Sequence, residues 1–268
     1  MEPLLIFGLA ATLIVIVGLS IWSGAKNKGG EAKNSMPVVA GVIIGTLVGG
    51  SSTVGTAQLA YNYGLSAWWF TLGGGIACLI LALVYAGPLR RSGCPTLVGM
   101  IRKEFGPTAG MSASVLNSVG TFINVISQLI SATAVIAVIA PDMGIIPALI
   151  ISAVFMALYV VFGGTKGAGM VGIVKTVLLY VAMMACGVMV LGMVGGFSAF
   201  ADMVRGIDNP AGVNFFSLFA RGVGTDGGAC LSLILGVLTT QTYAQGVLSG
   251  KTDRAGKGGA LLSAFLIP

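Results

Sequence analysis

The chain has 268 residues, of which 56% are hydrophobic and 8% are charged, whereas an ordinary soluble domain carries about 25% charged residues. This composition excludes a soluble globular domain and indicates a protein that crosses the bilayer several times. The net charge of +6 comes from basic residues between the apolar stretches, so it reports membrane topology and argues against a nucleic-acid partner.

Apolar stretches long enough to cross a bilayer of about 30 Å as helices follow one another along the chain. Backbone groups must be paired in lipid, and the stretches lack the alternation of strands, so we predict an all-α helix bundle. Residues 1–268 form one transmembrane domain in this interpretation, and its last span is cut off at Pro268. The predicted spans are 3–23, 36–60, 66–87, 109–140, 145–162, 168–196, 227–249 and 259–268.

The first span is predicted to be retained rather than removed as a signal peptide, because Met1-Glu2-Pro3 carries no positive side chain. Histidine is absent, and the cysteines are scattered rather than paired at short spacing. We therefore predict neither a disulfide framework nor a metal site. The cysteines are Cys78, Cys94, Cys186 and Cys230.

Basic residues are unevenly distributed between the two sides of the membrane. When the loops are assigned to alternate sides, eleven of the fourteen Lys and Arg residues fall on one side, and only Arg205 and Arg221 fall on the other. The positive-inside rule makes the basic side cytoplasmic and places the N-terminus outside. Loops of this charge density are also suited to contact with anionic lipid.

Small and hydroxyl-bearing residues interrupt the second span. Glycine destabilises a helix interior by about 1 kcal/mol relative to alanine, and Ser and Thr compete for backbone hydrogen bonds, so we expect the helix to unwind there. Broken helices of this kind mark the midplane binding sites of secondary transporters. The alternative is close helix packing through Gly45 and Gly49. The interrupting residues are Gly49, Gly50, Ser51, Ser52 and Thr53.

The seventh span carries a second irregular stretch, with six polar side chains between Thr239 and Gln245. Polar groups at this density should face the bundle interior or a wet cavity, although interhelical hydrogen bonds are an alternative explanation. The second and seventh spans start on opposite sides of the membrane and each would open a unit of five helices. This arrangement is typical of an inverted repeat in which core helices one and six are discontinuous.

Lys175 is the only charged residue well inside any of the apolar stretches. A charge at such a depth is costly and indicates a functional site. The alternative is that its amine extends along the helix to reach the membrane surface.

Four stretches follow a pattern that is similar to one known family. Residues 45–69 contain the interrupted span followed by Tyr-Asn-Tyr-Gly-Leu, residues 95–107 read PTLVGMIRKEFGP, residues 162–175 read FGGTKGAGMVGIVK, and residues 241–264 read QTYAQGVLSGKTDRAGKGGALLSA. Together they resemble the N-terminal portion of the sodium:solute symporters, whose members share a fold of two inverted five-helix repeats. A complete member has further core helices, so the chain is expected to be a fragment.

The resemblance implies a secondary active transporter that takes up a small solute with a sodium gradient, by alternating access, in the inner (plasma) membrane of a bacterial or archaeal cell. It implies no catalytic residues and no cofactor other than a sodium ion. The family's ion site would use backbone carbonyls at Gly45 and Val48, and the substrate cavity would include the interrupted stretch. The cavity residues implied are Gly49, Gly50, Ser51, Ser52, Thr53, Gln128, Gln241 and Gln245.

One departure from the family pattern concerns the ion. Many members carry a Thr-Asp pair early in core helix five, whereas the matching positions here are Val171 and Gly172, and Lys175 follows one turn later. We therefore hold a second hypothesis, in which Lys175 replaces the bound cation and makes transport sodium-independent or proton-coupled. A channel is the alternative of another class, and an enzyme is disfavoured because the helices supply no evident base.

Overall fold

In the computed structural model, the described part of the chain comprises residues 34–206 and 212–268 and eleven residues between 7 and 22. Of the predicted span 3–23, these eleven residues are described, and all of them are helical. Apart from one isolated bridge between Asn34 and Gly250, the regular elements of the described part are helices. The prediction of an all-α fold is confirmed.

From Met36 onward, eleven α-helices follow one another in the described residues, with short 3₁₀ turns at Gly64–Ala67 and Pro141–Met143 and a π-helical turn at Leu81–Tyr85. The helices are α1 Met36–Leu47, α2 Gly50–Tyr63, α3 Trp68–Ile80, α4 Ala86–Arg91, α5 Leu97–Phe105, α6 Pro107–Ile139, α7 Ile145–Val194, α8 Phe197–Arg205, α9 Val223–Thr239, α10 Gln241–Leu248 and α11 Asp253–Leu266.

Within the described residues, three helical stretches are long and apolar enough to cross a membrane: Gly50–Arg91, Pro107–Ile139 and Thr165–Val194. The bent pair α9 and α10 makes a fourth if it counts as one span. The chain is therefore an integral membrane protein.

Helix α7 differs from the expected arrangement, because it continues from Ile145 to Val194 through the gap between the predicted spans 145–162 and 168–196. The junction contains glycines but no proline. Glycine weakens a helix by about 1 kcal/mol, whereas proline removes a hydrogen bond and clashes with the preceding turn. The glycines alone therefore do not end the helix.

Helix α1 is the centre of the bundle and packs against α7, α10 and α11. Its buried residues Val39 and Ile43 join Leu81, Val237 and Val247 in the main hydrophobic core. A helix that is apolar on several faces is covered either by other helices or by lipid, and neighbouring helices bury most of α1. The position of α1 therefore sets the position of the elements around it.

The contact between α1 and α7 is a seam of glycines. A Cβ atom at Gly172 would clash with the carbonyl oxygen of Gly41, and one at Gly169 would clash with Val38. Small residues let helix backbones approach in this way. Because Gly169 lies beside Val38 and Gly172 lies beside Gly41, the two helices advance together and run parallel.

Loops that the charge pattern assigns to one side meet in space. Arg90 binds Asp253 at 2.6 Å, and its Nη1 donates to the carbonyls of Val247, Leu248 and Gly250 at the end of α10. Cationic groups stabilise the carbonyl end of a helix. Arg90 therefore ties α4 to the end of α10.

The opposite end of the bundle contains a buried ion pair between Arg221 and Asp226, with 2.6 Å between Nε and Oδ1. The Arg221 guanidinium lies 5.6 Å from the centre of the Tyr63 ring, and the nearby Leu65 N–H donates to the Phe215 carbonyl. These contacts hold the segment before α9 against the end of α2.

A candidate solute cavity

A cavity of about 820 Å³ lies between α1, α6, α7 and the junction of α9 with α10, with α5 at one edge. Its walls combine aliphatic side chains with amide and hydroxyl groups, as ligand cavities usually do. The polar side chains that line it are Thr46, Asn117, Thr121, Asn124, Gln128, Lys175, Thr239, Thr240 and Thr242.

The chain is interrupted between α1 and α2 at one wall of this cavity. The Val48 N–H still bonds the Ile44 carbonyl at 2.7 Å, but Gly49 is extended with φ −88° and ψ 179°, and α2 begins at Gly50. The carbonyls of Gly45, Thr46 and Val48 accept no hydrogen bond from any residue that the structure describes. The end of α1 therefore presents free carbonyl oxygens.

Gln128 of α6 bridges this interruption. Its Oε1 accepts from the Gly50 N–H at 3.0 Å, and its Nε2 donates to Ser51 Oγ at 2.9 Å. A Cβ at Gly49 would lie only 2.8 Å from the Gln128 Cδ atom, so glycine leaves room for the amide. Gln128 therefore supplies a cap for the first turn of α2 in addition to lining the cavity.

The hydroxyls beside the interruption satisfy backbone carbonyls. Ser52 Oγ donates to the Leu47 carbonyl at 2.9 Å, and Thr53 Oγ donates to the Gly49 carbonyl at 2.6 Å. Of the predicted cavity residues in this stretch, Gly49 lines the cavity, but Gly50, Ser51, Ser52 and Thr53 do not. The physical reason is that Ser52 and Thr53 bond carbonyls of the broken helix, while Gly50 and Ser51 bond the Gln128 amide.

Replacing Gln128 with alanine is expected to lower the free energy of unfolding by about 1 kcal/mol, because the Gly50 N–H and the Ser51 hydroxyl lose their shared partner. Thr121→Ala is the matched control on α6, since the Thr121 hydroxyl bonds only within its own helix turn. Thermal unfolding of the purified variants would measure the difference. Equal effects of the two substitutions would contradict the capping role of Gln128.

Helix α7 contributes Val171, Gly172 and Lys175 to the cavity. A Cβ at Gly45 would lie 3.0 Å from the Gly172 Cα atom. Because α1 and α7 run parallel and rise by 1.5 Å per residue, Lys175 lies one turn beyond this contact. It is therefore level with the last turn of α1 and its free carbonyls.

The Lys175 side chain is half-buried and makes no hydrogen bond or ion pair with any described residue. It is the only charged side chain among the described residues that line the cavity. By contrast, Arg90 and Arg221 are both paired with aspartates. The cavity thus holds one unpaired cationic group against a polar but uncharged wall.

A second interruption lies between α9 and α10, where Thr240 is extended with φ −87° and ψ 129° and the helix axes differ by 54°. Thr239, Thr240 and Thr242 line the cavity at this point. The Thr239 carbonyl accepts a weak hydrogen bond from Asn117 Nδ2 at 3.4 Å. The two interruptions therefore border the same cavity.

The glutamines of the seventh span lie elsewhere. Gln241 Oε1 accepts from the Leu97 N–H at 2.7 Å, at the start of α5, and Gln245 is exposed beside a second cavity of about 670 Å³ near Arg91 and Lys251. Residues four apart share one helix face, and α10 turns the face with Thr242 toward the main cavity. Of the predicted cavity residues, Gln241 and Gln245 therefore do not line the main cavity in the structure.

Sequence reasoning missed most of the α6 wall. Asn117, Thr121, Asn124 and Gln128 follow one another at intervals of four, three and four residues, which places them on one face of a helix. All four line the cavity. This polar stripe in an apolar span was the signal that could have identified them.

Comparison with known proteins identifies a family and two similar proteins. A sequence model of the sodium:solute symporter family matches residues 32–267. The chain is 30% identical to the uncharacterized symporter YwcA of Bacillus subtilis (strain 168) over 155 residues, and this match covers 57% of the chain. It is 25% identical to the high-affinity choline transporter 1 of Drosophila melanogaster over 197 residues, and this match covers 65% of the chain. The matches cover 30% of the length of each relative.

Proposed function

This chain belongs to the sodium:solute symporter family, and we propose that it forms the solute-binding part of a secondary active transporter that works by alternating access. The observation that carries the proposal is the convergence of two interrupted helices and an unpaired lysine on one cavity. Interrupted helices whose ends face a central cavity are the usual construction of a transporter binding site. The solute is a small organic molecule that reaches this cavity from either side of the membrane in turn.

In this proposal, α1 with α2 and α9 with α10 are the discontinuous core helices one and six of an inverted repeat. Their interruptions at Val48–Gly49 and Thr240 give each helix two halves that can tilt separately. A few residues that absorb a change in backbone angles are sufficient for such a hinge. The basic end of the bundle is cytoplasmic by the positive-inside rule, in the inner (plasma) membrane of a bacterial or archaeal cell.

The proposed coupling ion is sodium, as in the family. The carbonyls of Gly45 and Val48 are free of hydrogen bonds from the described residues, and unwound backbone carbonyls are common sodium ligands in such transporters. Both carbonyls belong to the end of α1, where the helix dipole also favours a cation. These features support a cation at the first interruption.

Lys175 favours a second form of the proposal. Lys175 lies level with the end of α1, so its ammonium group can take the place of the cation. It would then exclude a sodium ion, because like charges at close range disfavour one another. In this form, transport is independent of sodium or coupled to protons. The described residues that line the cavity include no other side chain that titrates.

Uptake by proteoliposomes containing the protein at its full natural length tests both forms. The sodium-coupled form predicts saturable accumulation of a labelled solute, and replacing external sodium with potassium should lower the initial rate at least about ten-fold. Saturable counterflow would distinguish a carrier from a channel. If sodium stimulates wild type and Lys175→Ala equally and pH has no effect, Lys175 does not replace the cation.

A further inference from the structure

The charge of the cavity constrains what it can bind. Among the described residues that line it, Lys175 is the only charged one, and there is no aspartate, glutamate or aromatic side chain. A positively charged solute is stabilised by carboxylates or by the faces of aromatic rings. This cavity offers neither to such a solute, and it presents a charge of the same sign.

The lysine is also without a partner of its own. An ammonium group has three donor positions and no acceptor, and Lys175 uses none of them on a described residue, although Arg90 and Arg221 are both paired. Removing a charge from water is costly unless an opposite charge compensates it. The missing negative charge can be supplied by a molecule that enters the cavity.

We propose that the transported solute is a small carboxylate, and that its carboxylate group binds the Lys175 ammonium. This inference deepens the proposed function and rests on it. The amides of Asn117 and Asn124 and the hydroxyl of Thr242 line the same cavity and can bind the rest of the molecule. The charge preference is thus opposite to the one named for the choline transporter relative, since choline is a cation.

Matched pairs of compounds test the preference on the wild-type protein at its full natural length. Lactate and lactamide, and likewise propionate and propionamide, have nearly the same shape and differ in charge. Binding measured by thermal shift should favour each carboxylate over its amide by at least about 30-fold, because the amide leaves the ammonium unpaired. Choline should not bind. Equal binding of acid and amide, or binding of choline without the acids, would overturn the inference.

Lys175 variants test the role of the amine. Lys175→Met should weaken lactate binding at least about 30-fold and abolish the preference over lactamide, whereas Lys175→Arg should retain the preference. Lys166→Met is the control, because Lys166 lies on the same helix but does not line the cavity. Should Lys175→Met fail to fold, the comparison of acid with amide on the wild-type protein and on Lys175→Arg still tests whether the cavity prefers a carboxylate.

Uptake measurements distinguish a failure of the proposed transporter function from a failure of the carboxylate inference. If a labelled neutral or cationic solute such as glucose or choline accumulates saturably and lactate does not, the transporter function stands and the carboxylate inference is wrong. If no tested solute of any charge accumulates, both are wrong. Accumulation of lactate in wild type and Lys166→Met, with its loss in Lys175→Met, would support both.

Discussion

Replacing Asp226 with asparagine is expected to lower the free energy of unfolding by about 3–5 kcal/mol, the usual cost of removing one partner of a buried ion pair. The Asp226 side chain is fully buried, and that of Arg221 is 14% exposed. Besides the pair itself, Asp226 Oδ2 accepts from the Arg221 N–H at 3.2 Å. The substitution leaves the guanidinium without a counter-charge in a place that water barely reaches.

Asp202→Asn is the matched control. Asp202 forms an ion pair with Arg205 at 3.1 Å, but both side chains are 69% exposed, and such surface pairs contribute about 0–1 kcal/mol. Thermal or denaturant unfolding of the two variants in detergent would measure the contrast. A loss at Asp226 no larger than the loss at Asp202 would show that the buried pair does not hold the segment before α9 in place.

Replacing Gly172 with leucine is expected to have the second large effect, a loss of about 3 kcal/mol of unfolding free energy. The new Cβ would clash with the carbonyl oxygen of Gly41, and a backbone group cannot move aside as a flexible side chain can. Helices α1 and α7 must then separate. Because this seam aligns Lys175 with the end of α1, ligand binding should be lost together with stability.

Gly187→Leu provides the comparison within the same helix. A Cβ at Gly187 has no atom within 4 Å, and residue 187 belongs to the apolar stretch Thr165–Val194, where leucine is well accommodated in lipid. We expect an effect within about 0.5 kcal/mol for this variant. Comparing the unfolding temperatures of the two variants therefore distinguishes the effect of the helix seam from a general intolerance of leucine in α7.

The sequence can indicate where a helix is weakened, because such an effect is local. Gly49 and its hydroxyl-bearing neighbours weaken a helix wherever they stand, and the structure interrupts the helix there. The polar stretch from Thr239 to Gln245 likewise contains the extended residue Thr240. A local conformational preference needs no knowledge of distant contacts.

The partners of the polar groups were not identifiable in the same way. Ser51 binds Gln128, which is 77 residues away in sequence, and Gln241 binds Leu97 at a separation of 144 residues. Which face a helix turns toward a neighbour depends on how the whole bundle packs. For this reason several side chains predicted to face a solute instead satisfy the ends of helices.

The sequence by itself determined that this chain is an all-α membrane protein of the sodium:solute symporter family, with an unusual lysine in an apolar stretch, because composition, hydropathy and motifs are properties of the chain alone. Only the tertiary structure decided where that lysine lies. The glycine seam makes α1 and α7 run parallel in close contact, and it thereby places Lys175 beside the free carbonyls of α1 and opposite the polar face of α6. That juxtaposition follows from the packing of helices distant in sequence, which no local pattern encodes.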